Sequence, residues 1–166
     1  MKMHLSVICT VYVWMLGVSH VSTEKTDPVY GWHNYTMYYP GSSDSRLIIS
    51  VPHGGSMTGV HDNMPERSNG CWDGNVCTYV EDCTGHGERV KEKCKLTTVT
   101  DMYTQEIGRV IYEEINRITG RYPHMIVCNL LRLYMDANRN VEQAAVGNIN
   151  ATKVYEDYHG FIKQVC

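Results

Sequence analysis

The chain has 166 residues, 43% hydrophobic and 20% charged, with a formal net charge of -3. This profile excludes an intrinsically disordered chain and suits one domain of ordinary size. The small negative balance gives no electrostatic footprint for nucleic acid or an anionic membrane surface.

Lys2 and His4 precede an apolar run from Leu5 to Val18, and small residues Gly17 and Ser19 lead into polar Ser22-Thr23-Glu24-Lys25. This order predicts a cleaved secretory signal peptide over residues 1–22. The run is shorter than the ~20 residues that span a bilayer, so no membrane span is expected. A secreted, extracellular destination follows. Cys9 would leave with the leader, and six cysteines would remain: Cys71, Cys77, Cys83, Cys94, Cys128 and Cys166. An even count in a secreted chain predicts disulfides, with fifteen pairings open. There is no Cys-x-x-Cys pair to favour a structural zinc site. Asn34-Tyr35-Thr36 and Asn150-Ala151-Thr152 are glycosylation sequons, usable in a secreted glycoprotein.

Residues 23–166 read as one α/β domain. Asn34 to Tyr39 reads as an edge strand that ends at Pro40-Gly41. Leu47 to Val51 is a compact apolar run before Pro52, the pattern of a buried parallel strand. Residues 59–96 hold four of the six remaining cysteines, with many Gly, Asn and Asp. This stretch reads as a disulfide-stapled insert, and Val90 to Val99 as a returning strand. Asp101 to Thr119 reads as a helix with its apolar face on Ile107, Val110, Ile111, Ile115 and Ile118. Thr100 is placed to cap it and Gly120 to end it. Met125 to Cys128 reads as a second buried strand, so that strand, helix and strand form a right-handed crossover. A last helix from about Asn150 carries Val154, Tyr158, Phe161, Ile162 and Val165 on one face. The chain ends within that helix, which reads as half of a strand–helix unit. The expectation is therefore a partial three-layer, mostly parallel sheet with flanking helices. Its uncovered face would need a second copy or a partner chain.

Two segments carry chemistry. In Pro52-His53-Gly54-Gly55, an imidazole stands just past a strand's C-terminal end, where open α/β sheets hold their binding crevice. A neutral imidazole is a good zinc ligand, but one His defines no metal site. Arg132 and Asp136-Ala137-Asn138-Arg139 follow the second strand. A planar guanidinium beside an amide suits a carboxylate, whereas an Asp136–Arg139 pair on a surface turn is the plainer alternative. Asp101 has the same two readings, helix capping or a carboxylate aimed into the crevice.

The order Pro-His-Gly-Gly, then Asp at a helix start, then Arg-x-x-x-Asp-x-Asn-Arg resembles the N-formylglutamate amidohydrolase-like family. Met135 to Asn140 is also similar to the Asp-x-Asn-Arg-Asn segment of the zinc carboxypeptidases, which share that broad fold. The resemblance implies zinc, with His53 and Asp101 as ligands. It implies Asn138 and Arg139, assisted by Arg132, as the clamp for a carboxylate-bearing small molecule or peptide end. The activity implied is hydrolysis of an amide next to a carboxylate. The chain departs from the family pattern in one respect. A further metal-binding His on a later strand is expected, and after Cys128 the only His is His159, in the last helix. His61 and His86 lie in the insert, and no general base is assigned. The function expected is thus an amidohydrolase-like protein with a half-site, catalytically incomplete as this chain. The alternative is a non-catalytic secreted glycoprotein of the matrix or a binding component, which the twelve Tyr also suit.

Overall fold

The structure, a computed structural model, describes residues 25–166. The expected leader lies outside the described residues. The elements run in chain order as β1 (Val29–Tyr30), β2 (Thr36–Tyr39), β3 (Ile48–Val51), β4 (Cys71–Trp72), β5 (Cys77–Thr78), α1 (Thr104–Thr119), β6 (His124–Cys128), α2 (Val141–Ala145) and α3 (Ile149–Val165). The fold is α/β, built on a four-stranded sheet of order β1-β2-β6-β3.

β3, α1 and β6 form the crossover that the apolar runs predicted, with β3 parallel to β6 and Ile49 aligned with Met125. The sheet is nonetheless mixed rather than mostly parallel, because β2 pairs antiparallel with both β1 and β6. β2 is therefore an interior strand and not the expected edge. The outer positions belong to β1 and β3.

β6 organises the core through the two-residue period of a strand. Met125 and Val127 join Val51, Met37 and Tyr112 of α1 on one face. Ile126 and Cys128 join Tyr38, with Val154 and Tyr158 of α3, on the other. None of these four β6 side chains is more than 1% exposed. Phe161, Ile162 and Val165 pack against the α3 side. The last helix is thus seated on the sheet, and the uncovered face expected there is not found.

α1 departs from its reading in two ways. It begins at Thr104, after Tyr103 in a left-handed conformation, so Asp101 lies before the helix and Thr100 does not cap it. Its apolar stripe also faces outward. Ile107 is 55% exposed and Ile118 68%, while the helix buries Gly108 and Tyr112. At 100° per residue the stripe is turned roughly a quarter turn from the side that meets the sheet. The cause is Gly108. A Cβ there would come within 2.7 Å of Val51 Cγ2, so only glycine lets the helix lie this close to β3.

The insert contains the short β4–β5 hairpin, tied by disulfides Cys71–Cys83 and Cys77–Cys94. Residues 90–99 contain no strand; Glu88 bridges to Trp72 instead. Cys128 and Cys166 were also disulfide candidates, and both are free thiols here. Cys128 lies inside the sheet core, whereas Cys166 is exposed at the chain end. Among the described residues no helix is long and apolar enough to cross a membrane.

Candidate functional site

His53 follows β3 directly and is 5% exposed. The loop beyond it is packed tightly by its two glycines. A Cβ on Gly54 would stand 2.5 Å from Thr104 Oγ1, and one on Gly55 would stand 2.2 Å from the Asn129 backbone. The glycines therefore let the start of α1 and the end of β6 close around the histidine.

Both ring nitrogens meet a carboxylate. His53 Nε2 lies 2.7 Å from Asp136 Oδ1, and Nδ1 lies 3.1 Å from Asp101 Oδ2. The two acids differ in setting. Asp136 is fully buried, whereas the Asp101 side chain is 52% exposed. Asp101 is tethered beside the histidine because its backbone N–H donates to the His53 carbonyl at 3.2 Å.

Asp136 is the anchor of the cluster. Arg132 Nε donates to Oδ2 at 2.8 Å, and the Asn138 backbone N–H donates to Oδ1 at 3.0 Å. Burial by itself would raise the pKa of this acid. The bonds from His53, Arg132 and Asn138 overcome that cost and hold the carboxyl well below its ordinary range. Arg67 stands behind it, with Nη2 3.7 Å from Asp136 Oδ2. The Arg67 guanidinium donates to the carbonyls of Arg132, Gln143 and Thr97. Burial lowers the Arg67 pKa to about 10, against the opposing pull of Asp136.

This geometry corrects the surface-turn reading of Asp136. The acid pairs with Arg132 and His53 inside the molecule, not with Arg139. The clue in the sequence was the four-residue step from Arg132 to Asp136. Arg67 carried no local signal, since it lies in the insert far from either motif.

Of the predicted site residues, the fold brings His53, Asp101 and Arg132 together. A groove of about 230 Å³ opens beside them, lined by His53, Asp101 and Thr104 and floored by apolar side chains of β3 and α1. Arg132 is committed to Asp136, with Nη1 also 3.7 Å from Asp101 Oδ1. Asn138 and Arg139 are exposed on the following turn, where Arg139 Nη1 donates to the Asn138 carbonyl. They do not line the groove. Neither do His61, His86 or His159, and His159 bonds instead to the Ala137 carbonyl. Of the two sequons, Asn34 is exposed, while Asn150 donates its side-chain N–H to the Asp62 carbonyl at 2.8 Å.

A zinc shell of the usual hydrolytic kind has three protein ligands and one open position. His53 Nδ1 and the exposed Asp101 carboxylate have the right chemistry for two. Among the described residues no group of three His, Cys, Asp or Glu side chains stands close enough to hold a metal. The donor set therefore fits half of such a shell. Comparison with protein-family models, curated proteins and solved structures gave no match.

Proposed function

We propose that this chain is a secreted N-formylglutamate amidohydrolase-like protein, a partial form of that family's three-layer domain, with a zinc and carboxylate half-site. One observation carries the reading: the tether of His53 Nε2 to the buried Asp136 carboxylate, which two guanidinium groups also face. Metal-ligating histidines characteristically give their second ring nitrogen to a carboxylate, which fixes the ring and aims the first nitrogen. Here Nδ1 lies 3.1 Å from the half-exposed Asp101 carboxylate, and both residues line the groove. The two disulfides suit an oxidising, extracellular destination.

His53 and Asp101 would hold the metal, and Asp136 with Arg132 would keep the imidazole in its tautomer and orientation. Zinc bound there would supply Lewis-acid polarisation of an amide carbonyl. Arg139 and Asn138, exposed on the next turn outside the groove, would take the carboxylate of a substrate that extends past the groove. With two metal ligands and no assigned base, the chain is expected to bind zinc and to be inactive, or weakly active, as a hydrolase.

Zinc titration of the chelator-washed protein tests this. One equivalent should bind, and His53→Ala should abolish binding. Asp136→Asn should weaken it about 10–100-fold, the usual cost of losing such a support. Failure to bind zinc at micromolar concentration overturns the reading. Any hydrolysis of N-acyl amino acids should disappear in Arg139→Ala.

The absence of a third ligand among the described residues favours a second reading, a non-catalytic secreted glycoprotein. On that reading the His53–Asp136–Arg132 cluster only locks the end of β3 to the loop after β6. Zinc binding distinguishes the two.

A further inference from the structure

The fold uses the side chains of the two sequons in opposite ways. Asn150 and Thr152 are both engaged. Asn150 Nδ2 donates to the Asp62 carbonyl at 2.8 Å, and its Oδ1 accepts from Lys153 Nζ at 3.2 Å. Thr152 Oγ1 donates to the Asn148 carbonyl at 2.9 Å. Asn34 is exposed on the turn before β2, at a left-handed φ of 61° that Asn tolerates. The turn holds Asn34 by its backbone: its N–H donates to the Gly31 carbonyl, and its carbonyl accepts from Asn129 Nδ2. Thr36 is fully buried in β2. Its hydroxyl is one of two side-chain groups among the described residues that are buried without a hydrogen-bond partner.

An orphaned buried hydroxyl costs stability and needs a reason. The packing of β2 supplies none. Valine has nearly the same shape, suits a strand equally well and buries no polar atom. A reason does exist before the chain folds. The glycosylation sequon requires Ser or Thr two residues after the asparagine, and valine there abolishes it. We propose that Asn34 carries an N-linked oligosaccharide in the secreted protein, that Asn150 does not, and that the Thr36 hydroxyl serves this transfer rather than the fold. The donor is an oligosaccharide linked to a polyprenyl pyrophosphate. Asn34 Nδ2 bonds to C1 of the first sugar as the bond from C1 to the pyrophosphate oxygen breaks. Polyprenyl pyrophosphate leaves, and the amide gives up one proton.

The fold accepts the product at one sequon only. On the Asn34 turn a sugar leaves the backbone bonds intact, and Asn34 does not line the His53 groove. At Asn150 the nitrogen that would carry the sugar sits against a backbone oxygen, at the part-buried start of α3. A sugar there replaces one of the two amide protons and crowds the Asp62 carbonyl, so that α3 loses its hold on the turn at Val60–Asp62. The proposal rests on the secreted destination in the reading above and is independent of its zinc site.

Expression of the full chain in a secreting eukaryotic cell tests it. The chain is expected in the medium with one oligosaccharide, which peptide-N-glycosidase releases in a single mobility step. Peptide mass spectrometry should place that sugar on Asn34. Asn34→Gln and Thr36→Val should each remove it, Thr36→Ser should keep it, and Asn150→Gln should leave it unchanged. Melting separates a lost sequon from a lost fold. With sugars removed from both proteins, Thr36→Val should unfold at the same temperature as the parent or a higher one. A secreted chain with no sugar on Asn34, a sugar on Asn150, or a lower melting temperature for Thr36→Val overturns the proposal and leaves the zinc reading standing. A chain retained in the cytosol overturns the proposal together with the secreted destination.

Discussion

Asp136 shows how one residue joins strand end, loop and insert. It is fully buried and answers His53, Arg132 and Arg67 together. Replacing it with Asn leaves two buried guanidinium groups without their counter-ion. A loss of about 3–5 kcal/mol is expected in denaturant unfolding. The sign with pH is fixed by the depressed pKa. The folded protein holds this acid ionised more firmly than the unfolded chain, whose Asp titrates near 3.8. The stabilisation is therefore fully present above that value and falls away as the pH drops below it. Acid titration should show the gap between wild type and Asp136→Asn narrowing below about pH 4. The two free thiols should also differ. Burial raises the Cys128 thiol to about 12, whereas Cys166 is exposed. Iodoacetamide on the native protein should alkylate Cys166 and spare Cys128, and both should react in denaturant. A chain with neither thiol reactive in denaturant would contain the disulfide this structure lacks.

Among the elements, the β3–α1–β6 crossover was legible in the sequence. Both strands are short apolar runs bounded by Pro and Gly, and the helix has a clear period. The side of α1 that meets the sheet was not legible. Periodicity identifies an apolar face but not the body that covers it, and Gly108 with Tyr112 sets the docked side. Gly108→Val should therefore be costly despite the better helix propensity of Val. The added atoms meet the stiff Val51 side chain, and overpacking of this kind costs about 1–3 kcal/mol. Thermal unfolding should show the loss, and a neutral result would mean that α1 does not lie on β3 as described. The pairing of β2 was misread for a related reason. β1 supplies only Val29 and Tyr30, too short a run to register as a strand. Of the site, His53, Asp101 and Arg132 were legible from motif order. Arg67 was not, because a lone cation in a cysteine-rich insert has no periodic or local signature.

At the scale of the whole molecule, the sheet and the insert are held by different means. The sheet relies on two apolar clusters and contains no disulfide. The insert has little apolar core of its own and relies on two crosslinks. Arg67 connects the two, since it leaves the insert to bond three carbonyls around the site. The geometry around His53 thus depends on a segment that contributes none of its ligating atoms. The molecule is also lopsided in its surface. α3 seals one side of the sheet, while α1 leaves its isoleucines open beside β3.

The crosslinks have a consequence for how the chain finds its fold. They overlap within residues 71–94, in the connection between the two parallel strands. They shorten that connection by roughly 15 of roughly 70 residues, which eases loop closure by only about 0.2 kcal/mol. Oxidation therefore does almost nothing to bring β3 to β6. The strands are free to meet before any sulfur pairs, and the rate at which the sheet assembles should be nearly indifferent to the redox state of the compartment in which it is made.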